Sequence, residues 1–261
     1  FFAKEYQPAV NKMQELISNG IEKPYMYRVI GFSLFELKDY KGAIENMDKL
    51  FAKQEPAKII PLDYMYYGKL LLKDSVKAAQ ADSYFEKGIA ADTSADKTPL
   101  YRELAEIYKD APNYKAAAKW YKKTSETGSS SVDALDYWWS GVMYYYAKDY
   151  VNAEPMLTLM SQKYPEEPSS YYWLARNTIE LKDKDYKNGA ATPMFTKWLG
   201  MVKADDPAKK NDLVKAYTYI AMVAYNTKNK VEATTYCNKI LALDAANKTA
   251  KDIIAALPSL K

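Results

Sequence analysis

The chain has 261 residues, 48% of them hydrophobic and 14% aromatic, and its 37 basic and 33 acidic side chains leave a formal charge of +4. That hydrophobic share belongs to a folded chain, and so small a basic excess argues against a dedicated nucleic-acid binder. Histidine is absent, which removes histidine acid–base chemistry, the Ser–His and Cys–His pairs and the commonest zinc ligand. The lone Cys237 can form neither an internal disulfide nor a thiolate cluster. The longest apolar run, residues 216–227, falls short of the roughly 20 residues a bilayer requires. The chain starts at Phe1 without an initiator methionine, as expected of a fragment or a processed form.

Taken in chain order, the predicted elements repeat. A tyrosine followed four residues later by Gly or Ala occurs at Tyr27/Gly31, Tyr64/Gly68, Tyr101/Ala105, Tyr137/Gly141, Tyr171/Ala175 and Tyr217/Ala221, at steps of 37, 37, 36, 34 and 46 residues. A second ladder runs through Ala9, Ala43, Ala81, Ala117, Ala153, Ala191 and Ala233. Residues four and seven apart share one helical face, so each ladder marks one face of a recurring helix. A period in this range marks a solenoid of stacked helix pairs. The spacing predicts a half repeat over 1–20, repeats at about 24–56, 61–93, 98–128, 134–165, 168–204 and 211–245, and a C-terminal helix over 247–257. The second repeat carries an extra residue before Ala81. The fifth is stretched by "KDKDYKNG" and "KADDPAKKND", so irregularity is expected from about residue 182.

The stretches "YRVIGFSLFELKDYKGAI" (27–44), "YRELAEIYKDAPNYKAAA" (101–118) and "YWWSGVMYYYAKDYVNAE" (137–154) carry a resemblance to the tetratricopeptide (TPR) repeat. The resemblance covers nearly the whole chain. It implies an all-α, right-handed α-solenoid of about six to seven helix–turn–helix repeats in a single superhelical domain, and a generic interaction scaffold rather than an enzyme. In that register the small residues sit where two helices touch. Tyrosines 27, 64, 101, 137, 171, 217, 108, 144, 6, 40, 114, 150 and 121 fall on structural rungs and are expected in the core.

The resemblance also assigns a concave groove. Its candidate ligand-binding residues are Arg28, Phe32, Phe35, Met65, Arg102, Trp138, Val142, Tyr145, Tyr172, Arg176, Met222 and Tyr225. Among them are all three arginines of a chain with 34 lysines, spaced 74 residues apart each time. Arginine binds carboxylates in a planar, two-pronged way and stacks on rings, which lysine does poorly. A sequence otherwise using lysine for its surface is therefore expected to hold these three for recognition. The family's carboxylate clamp is absent, because its slots read Arg28, Phe32 and Tyr66.

The expected partner is a protein or peptide, with carbohydrate stacked on the groove rings as the alternative. No catalytic residue, metal or cofactor is expected, nor a nucleic-acid partner or a transmembrane segment. Asp183 and Asp185 lack the ligands of a calcium loop. Cys237 is expected to be buried and inert. The lysine bias and tyrosine richness lean toward a bacterial envelope compartment, with the cytoplasm as the alternative.

Overall fold

The computed structural model describes residues 5–260; the first four residues of the expected half repeat lie outside them. Every regular element among the described residues is helical. The chain divides into two compact units, Phe1–Ile107 and Tyr108–Lys261, with one helix running across the division.

In the first unit, α1 (Tyr6–Ser18) packs on α2 (Pro24–Glu36), α2 on α3 (Tyr40–Lys53), and α4 (Pro61–Leu71) on α5 (Ala81–Ala91). Helix α6 (Thr98–Asp110) begins here and ends in the second unit. The second unit holds α7 (Tyr114–Ser125), α8 (Ala134–Tyr146), α9 (Tyr150–Lys163), α10 (Pro168–Lys182), α11 (Thr192–Leu199), α12 (Lys210–Asn226), α13 (Lys230–Leu243) and α14 (Lys248–Ala256). Consecutive helices pair throughout it. First helices of successive hairpins also touch, α2 on α4 in one unit and α8 on α10 in the other.

The small-residue ladders explain the pairing. A side chain built on Gly31 would meet Met47 Sδ at 2.8 Å, on Gly68 the ring of Phe85, and on Gly141 the Leu157 Cγ at 2.5 Å. Each is the close approach of one helix to its hairpin partner, which a larger residue would wedge apart. Ala105, Ala175 and Ala221 hold the same position fully buried; Ala43, Ala81, Ala117, Ala153 and Ala233 on the second helices, and Ala191 at the N-cap of α11, are fully buried too. Ala9 is only half-buried, with Val10 taking the core instead.

The tyrosines divide. Tyr27, Tyr108, Tyr121, Tyr137, Tyr144 and Tyr217 are core as expected. Tyr6, Tyr40, Tyr114 and Tyr150 are half-buried, because each is the first residue of its helix and lies at the mouth of a turn. Tyr64, Tyr101 and Tyr171 are also half-buried.

Sequence punctuation sets the ends of the helices. Pro24, Pro61 and Pro168 occupy the first helical position, where the missing N–H costs nothing. Asp39, Asn113, Asp149 and Asn229 each accept a backbone N–H three residues on, capping α3, α7, α9 and α13. The second hairpin departs from this pattern. A 3-10 turn at Ala78–Gln80 absorbs its extra residue, so α5 starts at Ala81 itself.

The irregularity after residue 182 is real and local. Asp183 is buried and accepts the backbone N–H groups of Lys187, Asn188 and Gly189 at 2.8–3.0 Å. The Tyr219 hydroxyl donates to the same carboxylate at 2.6 Å and accepts the Ala191 N–H at 3.0 Å. Burial alone would push the Asp183 carboxyl up. The Tyr219 hydroxyl and the three backbone donors outweigh it and hold the group below its ordinary value. The "KDKDYKNG" insertion is thus a loop knotted around one carboxylate, which pins the short α11 against α12.

Candidate aromatic–arginine site

The three arginines do not share one role. In the first unit Arg28 makes a two-pronged bond to Asp63, Nε to Oδ1 at 2.5 Å and Nη2 to Oδ2 at 2.6 Å, and reaches the Lys58 carbonyl at 3.2 Å. Asp63 is wholly buried, and its Oδ2 also accepts the Ile60 N–H at the start of α4. Arg28 therefore ties one hairpin to the next, which corrects its expected place as a recognition residue. Arg102 sits half-buried on α6.

The other first-unit candidates are packing residues. Phe32 is 4% exposed and stacks on Tyr66, with centroids 4.0 Å apart. Phe35 meets the same tyrosine edge-on at 5.2 Å. Met65 is buried. The Phe32 and Met65 side chains fill the contact between neighbouring helices and offer a ligand almost no surface. In the second unit Val142 is likewise core at 1% exposure. Met222 and Tyr225 are half-buried against the cluster around Leu213, Ile220 and Trp198.

What remains comes together on α8 and α10. Trp138 meets Trp139 edge-on at 4.5 Å and Trp173 at 6.4 Å. Tyr145 and Tyr146 meet the Trp173 ring at 5.3 and 5.6 Å. The Arg176 guanidinium lies over Trp173 at 4.5 Å, Tyr145 at 4.9 Å and Tyr172 at 5.7 Å. Such a cation is held face-on by the ring quadrupoles. Glu167, Glu180 and Asp212 line the surroundings of Arg176, and the last two have other partners. Asp212 accepts the Tyr172 hydroxyl at 2.6 Å, and Glu180 pairs with Lys184 at 3.6 Å.

Two cavities adjoin Arg176. One, of about 280 Å³, includes Ile179, Glu180, Phe195 and Thr218 in its wall. The other, of about 550 Å³, is lined by Trp138, Trp173 and Trp198 with Glu167, Lys209 and Asp212. Tyr172, a predicted groove residue, is 5% exposed but borders the larger cavity. Its phenol is pushed well above the ordinary range by burial and by the Asp212 carboxylate, so it stays a neutral donor. Burial also pushes the Tyr145 phenol up, against the opposing charge of Arg176.

Sequence reasoning missed Trp173, Tyr146, Trp198, Lys209 and Lys215. Trp173 sits on the margin of the predicted groove face. Trp198 lies in the stretched fifth repeat, where the spacing no longer gives a register. Cys237 is buried as expected, and burial pushes its thiol up. Among the described residues no helix is long and apolar enough to cross a membrane.

Helical hairpins repeated around glycine and alanine contacts define a repeat protein of the interaction-scaffold architecture. Solved structures specify the kind. The chain aligns over 97% of its length, and 96% of the other chain, with the C-terminal part of a TPR repeat-containing protein from Cytophaga hutchinsonii, at 26% identity and a TM-score of 0.69. It also aligns over 74% of its length, and 90% of the other chain, with YrrB, a TPR protein with an unusual peptide-binding site, at 14% identity and a TM-score of 0.50. The chain has the TPR fold, an all-α solenoid of helical hairpins. No family model matches it, and no curated protein does.

Proposed function

We propose that this chain is a non-catalytic interaction scaffold that binds an extended peptide or a partner helix on the face formed by α8, α10 and α12. The observation that carries this reading is the Arg176 guanidinium, held on three rings beside a tryptophan-lined cavity. Binding energy at protein surfaces concentrates in Trp, Tyr and Arg anchors, and this patch supplies all three. Trp138, Tyr145, Tyr172 and Arg176 are the anchors from the predicted set, with Trp173 added. The reading calls for no cofactor.

Carbohydrate is the second reading, favoured by Glu167 and Asp212 beside the three indoles of the larger cavity. Titration of the intrinsic tryptophan emission separates the two. Peptides should shift it at micromolar concentration while oligosaccharides leave it unchanged. A response to oligosaccharides alone would replace the first reading with the second.

A further inference from the structure

We infer that the ligand of the Arg176 site is an acidic–aromatic stretch of peptide, with a side-chain carboxylate on Arg176 and a neighbouring ring in the cavity between Trp138, Trp173 and Trp198. The inference rests on the proposed peptide-binding function and specifies its chemistry. Three facts carry it.

The first is the state of Arg176. Arg28 shows what an arginine of this chain does when a carboxylate is at hand: it takes both oxygens. Arg176 lies on Tyr145, Tyr172 and Trp173 instead, while Asp212 accepts the Tyr172 hydroxyl, Glu180 sits 3.6 Å from Lys184, and Glu167, in the same cavity wall, makes no ion pair with Arg176 among the described residues. A guanidinium fixed by rings is a preorganised two-pronged receptor for a carboxylate.

The second is the cavity's balance of donors and acceptors. Arg176, Lys209 and Lys215 line it against Glu167 and Asp212, and Asp212 is already occupied by the Tyr172 hydroxyl. A donor-rich wall suits an acceptor-rich ligand.

The third is size. About 550 Å³ lies within the range of pockets that hold small-molecule-sized groups, room for a ring together with its flanking residues. Its indole and phenol walls suit a phenylalanine or tyrosine side chain better than an aliphatic one.

The test uses the whole chain and three acetylated, amidated peptides: alternating Asp–Phe, Asn–Phe and Lys–Phe, followed by tryptophan emission. A fourth probe is the Asn–Phe peptide with a free C-terminal carboxylate. The Asp–Phe peptide should bind about tenfold or more tighter than the Asn–Phe peptide, the difference of one charge-assisted pair. Arg176→Gln should erase that preference while leaving the thermal melt in place, and Arg176→Lys should restore it only in part. Equal binding of the Asp–Phe and Asn–Phe peptides, or an Arg176→Gln variant that keeps the preference, would overturn the inference and leave peptide binding standing. Tight binding of the free-acid Asn–Phe peptide alone would overturn it in favour of a chain terminus. If no peptide binds, the function proposed above falls with it.

Discussion

Arg28 and Arg176 occupy neighbouring positions on equivalent helices, yet one has become structure and the other has not. In the first unit the next hairpin presents Asp63 at its capping position, wholly buried, and Arg28 closes on it. In the second unit the corresponding helix presents Asp212, which bonds the Tyr172 hydroxyl instead. One aromatic residue thus decides the fate of an arginine. The family register predicted one role for both, because a register records where a side chain stands and not what the neighbouring hairpin offers it.

The largest expected effect tests this difference. Arg28→Ala leaves the buried Asp63 without its counter-charge, which should cost about 3–5 kcal/mol. Arg176→Ala, whose guanidinium rests on rings at a half-buried position, should cost about 1–2 kcal/mol. Thermal or denaturant melts of both variants measure the contrast, and equal losses would erase it.

The next test is of what the two units share. Gly141→Leu drives a side chain into Leu157, as any branched residue at Gly31 would into Met47. Overpacking of this kind should destabilise by ~1–3 kcal/mol or more. A circular-dichroism melt unchanged by Gly141→Leu would show that the hairpins do not rely on these contacts.

These two tests separate what the sequence disclosed from what it withheld. The ladder of Gly and Ala was legible because close helix contact admits so few residue types that spacing alone exposes it. The hairpins at 24–53, 134–163 and 210–243 carry those residues, buried, where their two helices meet. The site was legible only as a face. Trp138, Tyr145 and Arg176 stand on that face and stay partly exposed, whereas Phe32, Met65 and Val142 stand there too and are buried. Trp198 and Lys209 escaped notice because they come from the fifth hairpin and the turn that follows it, where two insertions break the period.

The Asp183 knot belongs to the second unit, and its acid response sharpens the comparison. Its folded carboxyl titrates below the unfolded value of about 3.9, so its contribution is fully present above that pH. It is lost as pH falls from there through the lowered folded value, because the protonated acid no longer attracts the three N–H groups and the Tyr219 hydroxyl. Asp183→Asn should therefore be about 1–3 kcal/mol less stable than the parent at pH 7. That gap should narrow below about pH 4. A gap independent of pH would mean that the loop is held by shape and not by charge.

The smallest effect concerns a turn the two units hold in common. Lys38 and Lys148 each precede the cap of a second helix, with φ of 65° and 58°, in the left-handed region that side chains resist. Such a conformation costs roughly 1–2 kcal/mol for a residue with a Cβ. Glycine removes that strain but loses roughly 0.5–1 kcal/mol more chain entropy on folding. The two terms nearly cancel, so Lys38→Gly and Lys148→Gly should each stabilise by about 0.5 kcal/mol. Because Asp39 and Asp149 cap the following helices in the same way, the gains should also be equal. A gain in one unit alone would mean that the turns differ in strain despite their matching φ, and the contrast between the units would then extend from their sites to their scaffolds.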